Sequence, residues 1–164
     1  MKTDLDVVRF VELIREGEQA EEKAKKMELW EQACRLYKGE LLPMQSGEDW
    51  VIMNSVHYKE KYSKALRSLC EYKKEQQEYD TILELTDTAM EIYPFDEWQS
   101  VKIDALMGMN RYKEAYQLCD ATSRMFFEEL GITPSERMMN QFQRMALFTA
   151  SFRVSVTITV WCAD

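Results

Sequence analysis

The residue types that carry out chemistry are few and scattered along this chain. There is a single histidine, His57, and no pattern of serine, cysteine or carboxylate around it marks it as a catalytic base. It reads as a solvent-facing or boundary residue of a long helix. Cysteines stand at 34, 70, 119 and 162, with no C-x-x-C pair among them. Three lie in apolar helical settings, Ala33-Cys34, Leu69-Cys70 and Leu118-Cys119, as expected for buried free thiols in a reducing compartment. The acidic pairs Glu21-Glu22 and Glu128-Glu129 lack the Asp and His company of a cation site and read as solvated faces. No two glycines fall at a phosphate-loop spacing. The chain is therefore expected to hold no catalytic residue, no metal ligand and no cofactor, and not to be an enzyme.

The elements around these residues are helical by composition. Of 164 residues, 46% are hydrophobic and 30% charged, which is globular and far from disorder, and there are only five glycines and three prolines. So few chain breakers suit a helical array and not a sheet protein, which needs many turns. The net charge is −8. A surface that binds duplex backbone needs clustered Lys and Arg, so this chain by itself is a poor DNA ligand. Lys23, Lys25 and Lys26 are interleaved with Glu21, Glu22 and Glu28 and form a solvated face. No charged-then-apolar leader opens the chain, and no apolar run approaches the ~18 residues of a membrane span. The expected location is the cytoplasm.

Apolar spacing predicts helices over 4–16, 18–38, 48–74, 78–92, 96–109 and 111–129, with a last one from Pro134 to about residue 148. Gly39 is expected to end the second helix in a left-handed conformation, and Pro94 to stop the fourth. The pattern repeats. Tyr79 and Tyr112 are 33 residues apart, as are Ile82 and Ala115, Thr86 and Cys119, and Ala89 and Thr122. Tetratricopeptide repeats have a period of 34 and the same helix-turn-helix logic. The expected fold is all-α: a tetratricopeptide-like array of about seven helices, three pairs and a closing helix, over residues 1–148. In that register Lys64, Arg67, Glu71 and Lys74 face the groove where a polar partner would lie. Of the aromatic residues Trp30, Trp50, Tyr58, Tyr62, Tyr93, Phe95 and Trp98, most are expected in the core.

Residues 149–164 break the pattern. Val154, Val156, Ile158 and Val160 alternate with Ser155, Thr157, Thr159 and Trp161, a strand signal. This strand-like or disordered tail is the start of a further domain, an edge that pairs with another chain, or sequence foreign to the natural protein.

One constellation is more specific. It runs through Tyr93-Pro94-Phe95-Asp96-Glu97, Ala105-Leu106, Asn110-Arg111-Tyr112-Lys113-Glu114-Ala115, and Phe127-Glu128-Glu129-Leu130-Gly131-Ile132-Thr133-Pro134-Ser135. Earlier in the chain stand Asp4 to Phe10, then Ala33 with Leu36-Tyr37-Lys38-Gly39-Glu40-Leu41-Leu42-Pro43, then Trp50. Together these resemble the bacterial transcriptional activation domain of SARP-type (antibiotic regulatory) activators over about residues 3–147. Physically they are structural devices. Glu97 is expected to cap or dipole-stabilise the helix after it, Gly131 to stop a helix at positive φ, and Ile132 to pack back on that helix.

The resemblance implies the interaction and effector domain of a transcription regulator. The expected partner is a protein, RNA polymerase or another regulator domain, and a homodimer is compatible with it. DNA would be met only through a winged helix-turn-helix domain that this chain does not contain, and no membrane is involved. The alternatives are a small-ligand or nucleotide sensor and a tetratricopeptide scaffold unrelated to transcription.

Overall fold

The computed structural model describes residues 2–39 and 49–147. Side chains are described from Asp6 to Gly39 and from Ser55 to Leu147. The expected loop over 40–47 and the strand-like tail at 149–164 lie outside the described residues. Every described element is a helix: α1 Lys2–Gln19, α2 Lys23–Leu36, α3 Asp49–Glu75, α4 Tyr79–Ile92, α5 Trp98–Gly108 and α6 Tyr112–Leu130. A seventh helix, α7, occupies 136–147. The fold is the all-α, tetratricopeptide-like succession of helix pairs, α1/α2, α3/α4 and α5/α6, followed by a closing helix. It forms two compact units, Met1–Pro94 and Phe95–Asp164.

The first unit is built around Tyr37, just past the end of α2. Its ring stacks on Tyr62 of α3 at 4.3 Å and lies 5.0 Å from Phe10 of α1. Its hydroxyl shares a 2.6 Å hydrogen bond with that of Tyr93, at the end of α4. One amphipathic ring system thus ties together all four helices of the unit. Leu66, Leu69, Ile82 and Ala89 complete the core between α3 and α4.

The expected spans 4–16 and 18–38 leave position 17 between helices, but α1 runs through Gly17 to Gln19 and α2 begins at Lys23. A Cβ at Gly17 would stand 2.5 Å from both Cδ1 and Nε1 of Trp30. The missing side chain lets the Trp30 ring lie against α1, where its Nε1–H donates to the Ile14 carbonyl at 3.3 Å. Gly39 has φ +94°, as expected of it, but α2 has already ended at Leu36 with an extended Tyr37 as its cap.

The 33-residue repeat appears as one turn used twice. Gln77 and Asn110 both adopt the left-handed conformation, φ 61° and 60°. After α3, Glu78 N–H bonds back to Lys73 O and Gln77 N–H to Lys74 O; after α5, Arg111 N–H bonds to Leu106 O and Asn110 N–H to Met107 O. Both are Schellman closures that satisfy the last carbonyls of a helix. Tyr79 and Tyr112 then open α4 and α6. Ile82 and Ala115, Thr86 and Cys119, and Ala89 and Thr122 are all buried, so the expected register holds. In a helix a buried threonine can return its hydroxyl to the preceding turn, as Thr86 does to Ile82 O and Thr122 to Leu118 O, each at 2.7 Å.

Candidate partner-binding surfaces

α3 sorts its side chains by helical period. Tyr62, Ala65, Leu66, Leu69 and Cys70 are buried, while Lys64, Arg67, Glu71 and Lys74 are exposed. Helical spacing places those four on the side of α3 opposite its core stripe. Glu71 also lines a cavity of about 430 Å³, together with Ala20, Lys26, Met27, Trp30 and Tyr72. Lys64, Arg67 and Lys74 do not line it. Inside this cleft Lys26 Nζ lies 4.4 Å from the Trp30 ring centre and Lys23 Nζ 5.3 Å from that of Tyr72, so the unit's own ammonium groups cover its aromatic faces.

The edge between α2 and α3 is pinned electrostatically. Lys73 Nζ reaches Glu31 of α2 at 3.2 Å and Glu78 at 2.6 Å, and Arg35 also pairs with Glu31 at 3.0 Å. Partial burial pushes the Glu31 carboxyl up, but the hydrogen bonds from Arg35 and Lys73 outweigh it and hold the group below its ordinary range. The bond to Glu78 raises Lys73. Burial pushes the Cys70 thiol up to about 12 and raises Cys34 as well. These thiols stay protonated and are poor nucleophiles. His57 is exposed and lies beside Tyr58.

In the second unit, the two motif segments that lie furthest apart in sequence meet. Glu97 is the residue before α5 and has φ 57°, yet its side chain makes no capping bond to that helix. Instead its Oε1 accepts the Ser135 N–H at 3.2 Å. Ser135 in turn caps α7, accepting the Met138 N–H on its Oγ. The expectation of a side-chain cap is corrected: Glu97 occupies the N-cap position of α5 and its carbonyl accepts the Ser100 N–H at 3.0 Å, but its carboxylate is bonded to Ser135 instead. Gly131 has φ 66°, as expected, with its N–H bonded to Phe127 O at 3.0 Å. The Ile132 N–H bonds back to Phe126 O of α6 at 3.4 Å, and Ile132 is 50% exposed.

A second cleft, about 380 Å³, lies between α5 and α7 and is lined by Asp104, Glu136, Arg137, Asn140, Gln141 and Arg144. Sequence periodicity did not single out this cleft, because its residues come from two helices more than 30 positions apart. Gln141 Nε2 donates to Ser100 O and to Asp104 Oδ1, and Arg137 pairs with Asp104 at 2.8 Å. Among the aromatic residues, Trp30, Tyr62 and Trp98 are buried, Tyr58 and Tyr93 are half-buried, and Phe95 is exposed. The side chain of Trp50 lies outside the described residues. No described helix is long and apolar enough to cross a membrane.

Among the described residues, the motif segments thus supply the stop of α4 ahead of Pro94, the hairpin turn at Asn110, the Glu97 bridge and the Gly131 closure. No curated protein and no solved structure is found to match the chain. A family model does, that of the bacterial transcriptional activator domain, over residues 5–145. The chain belongs to the bacterial transcriptional activator domain family.

Proposed function

We propose that this chain is the protein-interaction and effector portion of a bacterial transcription regulator, with duplex contact left to a winged helix-turn-helix domain outside it. The observation that carries this reading is the α3 stripe. Lys64, Arg67, Glu71 and Lys74 are all held outward while the opposite side of the same helix is fixed in the core. A rigid helix with a charged outer stripe is a surface for a polar partner. The net charge of −8 supports leaving DNA to another domain. The same reading makes the chain a non-enzymatic cytoplasmic module whose first candidate partner is RNA polymerase.

The test is direct. The chain, immobilised, should capture RNA polymerase holoenzyme, and Lys64→Glu with Arg67→Glu and Lys74→Glu should weaken capture about tenfold or more without moving the melting temperature. Sub-micromolar, sequence-dependent duplex binding at physiological salt, with no affinity for polymerase, would overturn the reading. The polar α5–α7 cleft favours a second reading, a small-ligand sensor. That reading requires a nucleotide or metabolite to raise the melting temperature of the chain but not of an Arg144→Ala variant.

A further inference from the structure

The tip of α6 stands clear of its unit. α6 continues to Leu130, four residues or on the order of 6 Å past Phe126. Phe126 is the last buried residue of α6, with its ring 6.0 Å from that of Phe95. Every residue from 127 to 133 is exposed. The chain then returns to the unit at Ser135, held by Glu97. The result is a small protruding tip with a fixed base.

Its surface is unusual for a protrusion. Phe127 is 69% exposed, Leu130 46% and Ile132 50%. Single exposed apolar residues are ordinary, but three large ones within six positions form a patch that marks an interaction site. Its charge is one-sided as well. Glu128 and Glu129 sit in the last turn, which carries no basic residue. A helix C-terminus already bears partial negative charge and is normally balanced by a cation. Here two carboxylates are added to it, so the tip lacks the positive charge that a partner would supply.

We propose that this tip docks an amphipathic basic helix of a partner protein. The apolar side of that helix would cover Phe127, Leu130 and Ile132, and its Lys or Arg residues would meet Glu128, Glu129 and the α6 carbonyl end. Anionic membranes are repelled by the same charges. This inference deepens the interaction-domain reading and rests on it.

The probe is a fluorescein-labelled amphipathic Leu/Lys helical peptide, titrated against the full chain by anisotropy. Phe127→Ser with Leu130→Ser, and separately Glu128→Lys with Glu129→Lys, should each weaken binding about tenfold. Val8→Ser with Val56→Ser, which alters exposed apolar residues of the first unit, should leave it unchanged. All these positions are exposed, so every variant should remain folded, and Glu128→Lys with Glu129→Lys should melt no lower than wild type. Equal binding by every variant, or equal binding of a Ser/Lys peptide, would overturn the proposal. So would a dimer that Phe127→Ser with Leu130→Ser converts to monomer in sedimentation, since a second copy would then cover the tip. The assay contains no polymerase. A chain that ignores polymerase yet holds the peptide through Phe127 therefore counts against the regulator reading alone.

Discussion

The Glu97 carboxylate and the Ser135 backbone N–H, 38 positions apart, meet at 3.2 Å and join the start of α5 to the start of α7. The bond is part-buried, so removing the acceptor leaves a donor without a partner away from water. Glu97→Ala should cost about 1–2 kcal/mol in urea denaturation. Glu97→Gln, which keeps an acceptor oxygen, should cost clearly less. Equal losses for the two variants would show that the charge, and not the bond, is what matters.

Three left-handed residues should respond in opposite directions. Gln77→Gly removes a Cβ from φ 61° and should stabilise the chain by about 0.5–1 kcal/mol. Asn110→Gly should gain less, because asparagine tolerates this conformation. Gly131→Val should cost about 1–2 kcal/mol. A Cβ at Gly131 meets nothing within 4 Å, so that loss would be backbone strain alone. Thermal melts of the three variants settle the signs.

Gly17→Ala opposes two effects of known size. Alanine favours a helix interior by about 1 kcal/mol over glycine. A Cβ 2.5 Å from the Trp30 ring, in a packed interface, costs about 1–3 kcal/mol and breaks the indole bond to Ile14. The clash should win, giving a lower melting temperature and a shifted tryptophan fluorescence maximum. A stabilised variant would mean that α1 and α2 are looser than the structure shows.

Acid should loosen the α2–α3 edge. The folded Glu31 carboxyl lies below its ordinary value of 4.5, so its contribution is fully present above that pH and is lost as pH falls through the lower, folded value. Glu31→Gln should be less stable than wild type at neutral pH, and its stability should fall less steeply below about pH 4.5. Parallel acid limbs in the two proteins would remove Glu31 from that role.

Burying Arg at position 89 should be severe. Ala89 is fully buried, so Ala89→Arg forces overpacking and an unmatched charge at a cost of several kcal/mol. Lys64→Ala, on the outer face of α3, should stay within about 0.5 kcal/mol. Similar urea midpoints for the two would break the repeat register.

By itself the sequence determined the helices, the 33-residue repeat and the solvent face of α3. Those follow from local propensity and from periodicity, which any short window contains. The left-handed Gly131 and the buried Cys34, Cys70 and Cys119 were legible for the same reason. Tertiary structure decided everything that depends on which helix meets which. Position 17 falls between the two helices that periodicity predicts, and only the Trp30 ring beside it shows that Gly17 is a packing notch inside α1. Glu97 looks like a cap, and only the return of the chain to Ser135 gives its carboxylate another partner. Ile132 looks like a residue that packs back on its helix, and only the structure shows that half of it remains exposed. A local pattern fixes how a segment folds, but the destination of a side chain depends on neighbours that sequence distance conceals.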